Sequence, residues 1–285
     1  MYLKEWVKTN RHIFTESDLG FMLKEIFSLG NLLLYERNIS LDKEKLSCLD
    51  KIKRMYLKGL PMAYILGNEE FFGLKLKVNP QVLVPRKETE LIVEKALDVI
   101  KENSCGFILD LGCGSANIAI AIKKAIGKDI RVFSSDVSLG ALTVAKKNCL
   151  LHETNILLVN SNLFGGFKFK SFDLIISNPP YVAEGEIRGP LEYEPRIALA
   201  AGRDGLAFIK AILSQAHLYL RNNGYLIMEI GYSHKEALSR LLAKTDRYET
   251  IEWIKDYDGN CRGILLKNYK SQIPNSKQTP IAELQ

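Results

Sequence analysis

The sequence predicts an α/β fold in which a mostly parallel sheet is covered by helices on both faces and preceded by a small all-α unit. Three observations carry this. From about Ser104 onward, short apolar runs of strand length alternate with helix-periodic segments. The first seventy residues carry only the helical period. Between the two lies a stretch that alternates residue by residue and contains the turn signal Asn79-Pro80.

In the N-terminal part, Leu19, Leu23, Ile26, Leu29 and Leu32 recur at helical steps, and Leu46, Leu49, Ile52, Leu57 and Leu60 do so more loosely. Ser40, with Asp42 and Glu44 after it, marks a helix start. Phe71–Val78 reads as a strand that turns at Asn79-Pro80 and continues through Val82–Val84, a hairpin joining the two parts. A helix over Glu88–Ile100 follows. Strands are then expected at Phe107–Leu111, Ile130–Ser135, Ile156–Val159, Phe172–Ser177 and Tyr225–Ile230. Helices are expected at Ile118–Ile126, Leu139–Cys149, Leu206–Leu220 and His234–Leu242. The last two strands, near Thr250–Ile254 and Gly263–Leu266, have no helix between them and should form an antiparallel edge hairpin. The organisation is therefore a helical unit at 1–70, a hairpin linker at 71–86, an α/β domain at 87–270 and a loose polar tail at 271–285.

Composition excludes several classes. The chain is 47% hydrophobic and 25% charged, which a folded globular protein needs and a disordered one lacks. No apolar run approaches the ~18 residues of a membrane span, and the N-terminus lacks a signal-peptide pattern. Five scattered cysteines without a CxxC pair point to reduced thiols in a cytoplasmic protein, and no metal site is expected. A net charge of +6 is ordinary solubility charge. Nothing in the pattern asks for an oligomer, so a monomer is expected.

The first chemistry-bearing motif is Asp110-Leu111-Gly112-Cys113-Gly114-Ser115-Ala116-Asn117, between a strand and a helix. Glycines there let backbone approach a ligand closely and aim amides at it from a helix N-terminus. Asp136 ends the next strand, where a carboxylate can accept from ribose hydroxyls. A dinucleotide fingerprint wants a third glycine where Asn117 stands, so the short loop with its leading acid favours S-adenosylmethionine.

The second motif, Asn178-Pro179-Pro180-Tyr181, follows a strand and so faces the same crevice. An amide or amino nitrogen on an sp² carbon is a poor nucleophile because its lone pair is delocalised. Acceptors on its two N–H groups, the Asn178 side-chain oxygen and the Pro179 carbonyl, hold it and favour rehybridisation as a methyl group arrives. The prolines add no competing donor, and Tyr181 offers a flat face to a planar group. Asn178, Pro179 and Tyr181 are the candidate catalytic residues, and Pro180 joins them in binding substrate.

With both motifs in this order, the sequence resembles the release-factor glutamine methyltransferases (the HemK/PrmC family). The resemblance runs from about Pro61 to Leu266. It extends to Pro61–Gly67 with Glu70–Gly73, Val82–Glu90, Tyr193–Arg196 with Gly202–Leu206, Glu229–Gly231, and Lys255-Asp256 with Gly259 and Arg262. It implies a Rossmann-like, seven-stranded class I methyltransferase domain using S-adenosylmethionine and releasing S-adenosylhomocysteine. The implied reaction, part of translation termination, is N5-methylation of the glutamine in the Gly-Gly-Gln (GGQ) motif of peptide chain release factors. By position the cofactor residues are Asp110, Gly112, Cys113, Gly114, Ser115, Ala116, Asp136, Asn162, Leu163 and Asn178. Lys87, Ala116, Asn162 and His234 depart from the family pattern. The rival readings are N6-adenine or N4-cytosine methylation and a glutamine of another translation protein. A base methyltransferase wants an adjoining basic surface, and residues 1–70 hold 11 Lys/Arg against 10 Asp/Glu. No direct nucleic-acid substrate is therefore expected.

Overall fold

The computed structural model describes residues 1–27, 39–127 and 129–269. Its N-terminal part holds helices α1 (Leu3–Asn10), α2 (Glu16–Phe27), α3 (Lys43–Leu57) and α4 (Met62–Leu66). Leu3, Trp6, Met22, Leu23, Leu49 and Ile52 close one apolar cluster between them. Helix α3 begins in the expected cap region, with the Asp42 carboxylate accepting from the Lys45 amide at 2.8 Å. Leu29, Leu32 and the 271–285 tail lie outside the described residues.

The hairpin is real, but its turn is not where the sequence reading put it. Strands β1 (Asn68–Phe71) and β2 (Leu74–Lys77) pair antiparallel around Phe72-Gly73, at φ of 52° and 71°. A two-residue turn of this kind needs positive φ at both positions, which Gly73 supplies at no cost. The single strand over Phe71–Val78 and the strand over Val82–Val84 are thus both corrected. Val82 and Val84 form no ladder; they are buried beside Ala63, Ala141 and Val144. The Tyr64 hydroxyl holds this extended segment by donating to the Val82 carbonyl at 2.5 Å.

Beyond α5 (Glu88–Asn103) come β3 (Phe107–Leu111), α6 (Asn117–Ile126), β4 (Arg131–Asp136), α7 (Leu139–Leu151), β5 (Leu157–Asn160) and β6 (Phe172–Ser177). The domain continues with α8 (Ala207–Tyr219), β7 (Leu220–Glu229), α9 (Lys235–Leu242), β8 (Tyr248–Lys255) and β9 (Cys261–Asn268). The seven strands are ordered β5-β4-β3-β6-β7-β9-β8. The first five are parallel and β9 runs antiparallel to both neighbours. The period of two is visible in the core. Ile108, Leu174 and Ile227 pack with Ile92, Ala96 and Ile120 on one face, whereas Leu109, Ile175, Leu226 and Met228 pack with Ile209 on the other. The seven-stranded α/β expectation is borne out.

This strand order fixes where a ligand can enter. From β3 the chain winds outward through β4 and β5, then returns to place β6 on the opposite side of β3. The carboxyl ends of β3 and β6 therefore flank a topological switch point, where helices leave in opposite directions and a crevice opens. The glycine-rich turn follows β3 and the Asn178 tetrapeptide follows β6. Sequence neighbours of strand ends become spatial neighbours of each other.

Candidate active site

A cavity of about 340 Å³ occupies this crevice. Of the residues singled out from the sequence, Gly112, Cys113, Gly114, Ser115, Asp136, Asn162, Leu163, Asn178, Pro179 and Pro180 line it. Asp110, Ala116 and Tyr181 do not line it. Asp110 lies beneath the turn, 1% exposed, and accepts from the Ala119 amide at 3.3 Å; it braces the start of α6. Ala116 is buried behind the turn at φ 62°, a left-handed conformation in which its Cβ costs about 1–2 kcal/mol. Tyr181 is half-buried, its ring edge-on to His234 at 6.4 Å.

Three amides of the glycine turn are engaged within the fold. The Gly112 and Cys113 amides both donate to the Ser135 carbonyl, at 2.8 and 2.9 Å, and the Gly114 amide donates to Asp136 at 2.9 Å. Those donors are occupied within the fold. What the glycines contribute is shape: φ of 76° at Gly112 and 52° at Gly114, with open space where each Cβ would stand. Asp136 also accepts from the Ser138 amide at 2.9 Å. Each carboxylate oxygen thus takes one backbone bond, and the remaining lone pairs are available to hydroxyl donors.

At the other wall, the Asn178 side-chain nitrogen donates to the Thr89 hydroxyl at 3.1 Å. Its oxygen is left as the free end of the amide. Among the described residues, neither Asn178 Oδ1 nor the Pro179 carbonyl accepts a hydrogen bond. Two neighbouring acceptors without protein partners, on the wall of a cavity, are the arrangement that a donor-rich planar group requires.

From the sequence, Thr89 reads equally as lining the site or as capping the following helix, and Glu194 and Glu229 stand only within longer matching stretches. Thr89, at the first turn of α5, donates to the Glu229 carboxylate at 2.6 Å, and Tyr181 donates to its other oxygen at 3.0 Å. Glu194 is buried and holds the segment before α5, accepting from the Val84 amide at 2.9 Å and from the Arg86 guanidinium. Their partners are 110 to 140 residues away in several cases, so no local signal could have found them.

Burial pushes the Asp110 carboxyl up to about 7, against the Ala119 hydrogen bond that lowers it and with the Asp136 charge adding to the rise. A carboxyl raised in the folded chain binds its proton more tightly there than when unfolded. The stabilisation this gives is complete below about pH 4 and is lost as pH climbs through about 7. Asp110→Asn, which mimics the neutral acid, should therefore gain in stability over the parent as pH rises from about 5 to about 8, by the order of 1–3 kcal/mol at the top, read as a growing difference in thermal midpoint. A difference between variant and parent that stays constant over this range would place the titrating group elsewhere.

Comparison with known proteins agrees with this geometry. The family profile described as "Methyltransferase small domain" matches residues 88–193. A release factor glutamine methyltransferase of Fusobacterium nucleatum is 34% identical over 274 residues, covering 92% of this chain and 76% of that one. One from Coxiella burnetii is 38% identical over 247 residues, covering 84% of this chain and 86% of its own. The chain belongs to the release factor glutamine methyltransferase family. The family resemblance drawn from the two motifs is thereby borne out. A solved methyltransferase from Pyrococcus furiosus, 20% identical, superposes with a TM-score of 0.50 over 80% of this chain and 98% of its own, and shares the fold. No helix among the described residues is long and apolar enough to cross a membrane.

Proposed function

We propose that this methyltransferase uses S-adenosylmethionine to methylate the side-chain amide nitrogen of a glutamine, the one in the GGQ motif of peptide chain release factors. The observation that carries the reading is the pair of unpartnered acceptors, Asn178 Oδ1 and the Pro179 carbonyl, on the same cavity as Gly112, Gly114 and Asp136.

The residues fit the cofactor. The open space over Gly112 and Gly114 admits a ligand against the backbone, and Asp136 retains lone pairs for a ribose diol. Asn162, exposed at the cavity rim, suits an adenine amino group through its oxygen, with Leu163 against the ring. When bound, S-adenosylmethionine supplies an electrophilic methyl group. Asn178 and Pro179 would take the two N–H bonds of the substrate amide and hold its nitrogen in line, so that charge developing there meets fixed dipoles rather than reorganising water. Once methylated, the nitrogen is acidic enough to lose its proton without a strong base. The helical unit at 1–70 is proposed to grip the release factor away from the reacting loop.

The test is transfer of a labelled methyl group from S-adenosylmethionine. Intact release factor, release factor with the GGQ glutamine changed to alanine, and duplex and single-stranded DNA are offered in parallel. Label confined to intact release factor is the expected result. Label in DNA, or in the alanine variant, would overturn the substrate assignment and favour amino methylation of a base or another glutamine.

A further inference from the structure

The asparagine of the tetrapeptide can serve as an acceptor only if its amide is the right way round. An asparagine side chain is nearly symmetrical in shape, and rotating it by half a turn exchanges an acceptor for two donors. Presented nitrogen-first, Asn178 would set N–H against the N–H of the substrate. Something must decide between the two orientations.

We propose that Glu229 and Thr89 are positioning residues that fix the polarity of the Asn178 amide, directing its nitrogen away from the cavity and leaving its oxygen for the methyl acceptor. The inference rests on the reading of the site given above. A threonine hydroxyl has one proton to give. Thr89 Oγ1 gives it to Glu229, 2.6 Å away, so toward Asn178 it can act only as an acceptor, and the asparagine nitrogen meets it at 3.1 Å. The direction of donation along Asn178, Thr89 and Glu229 is therefore set at its far end by a group that accepts. The Tyr181 hydroxyl reinforces this by donating to the second oxygen of the same carboxylate at 3.0 Å. Glu229 is 1% exposed at the end of β7, and Thr89 is 1% exposed on α5, so water does not substitute for either. The arrangement also explains the cost the fold accepts in burying a carboxylate: an amide or a hydroxyl in its place could donate as well as accept, and the polarity would be lost.

The relay carries a dependence on pH. Burial raises Glu229 to about 7; the Thr89 and Tyr181 hydrogen bonds lower it, the Glu88 charge raises it and the Arg262 charge lowers it. Once protonated, Glu229 can donate to Thr89, Thr89 can donate onward to Asn178 Oδ1, and the amide is free to turn. Turnover should rise with pH through about 7 for this reason.

The experiment measures kcat, KM for release factor and S-adenosylmethionine binding by calorimetry across pH for the parent, Thr89→Val, Thr89→Ser, Glu229→Gln and Asn178→Ala. Thr89→Val should lower kcat about 10²-fold with cofactor affinity unchanged, and Thr89→Ser should restore it to within about threefold. Glu229→Gln should lower kcat comparably and abolish the rise near neutral pH. Equal losses in Thr89→Ser and Thr89→Val, or a Glu229→Gln enzyme with the parent's pH profile, would overturn the proposal. If Glu229→Gln no longer binds cofactor, the threonine pair decides alone. Full activity in Asn178→Ala would instead sink the reading of the site itself, so the two failures are told apart.

Discussion

Asn178→Ala should lose about 10³-fold or more in kcat while binding S-adenosylmethionine within a few-fold of the parent. The two halves of that expectation come from different walls of one cavity. On the cofactor wall, Gly112, Gly114 and Asp136 are held by bonds to Ser135 and Ser138, none of which involves Asn178. On the acceptor wall, Asn178 contributes one of two hydrogen-bond acceptors, and among the described residues its side chain donates to Thr89 alone. Truncation leaves Thr89 its bond to Glu229, so no buried donor is orphaned and the fold should lose little. The missing acceptor matters most when the substrate nitrogen rehybridises, which is why the loss belongs in kcat rather than in KM. Single-turnover transfer of labelled methyl, with calorimetry on the same preparation, checks both halves. A raised KM at unchanged kcat would mean that Asn178 binds substrate uniformly and does not assist the transfer.

The motifs legible in the sequence are those whose chemistry is local. Gly112 and Gly114 announce a turn because only backbone conformation is at stake, and Asn178-Pro179-Pro180-Tyr181 carries its acceptors and its lack of donors within four residues. That Asp136 and Asn178 line one cavity also followed, because strand ends in a parallel sheet share an edge. What escaped was relational. The occupation of the Gly112 and Cys113 amides by Ser135 depends on the register of β3 against β4, which no single segment encodes. The hairpin turn at Phe72-Gly73 was hidden because alternation continues across a two-residue reversal with no break in its period. Thr89 read equally well as a cap or as a site residue, and only its contact with Asn178, 89 residues on, decides it. Glu229 stood in a matching stretch without a role until Thr89 and Tyr181 met its two oxygens.

Gly205→Ala should couple stability to activity in a way that its neighbour Gly202→Ala does not. Both glycines have positive φ, 69° and 77°, so each alanine pays a similar backbone cost of about 1–2 kcal/mol. Their surroundings differ. A Cβ at Gly202 would meet Ala207 at 3.7 Å, an ordinary contact. At Gly205, itself buried, it would stand 2.5 Å from the Tyr181 carbonyl and 2.9 Å from His234. Backbone must move, which adds about 1–3 kcal/mol. A total of about 2–5 kcal/mol corresponds to a fall in thermal midpoint of about 4–20 °C for a domain of this size. The displaced atom belongs to the tetrapeptide. Moving Tyr181 strains its bond to Glu229, and through Thr89 that reaches the Asn178 amide. Gly205→Ala should therefore lose kcat at temperatures where it is still folded, whereas Gly202→Ala should unfold a few degrees earlier and turn over normally. Equal kcat in the two variants would mean that the tetrapeptide is held in place from the β6 side alone, with the Gly205 turn serving only to cover it.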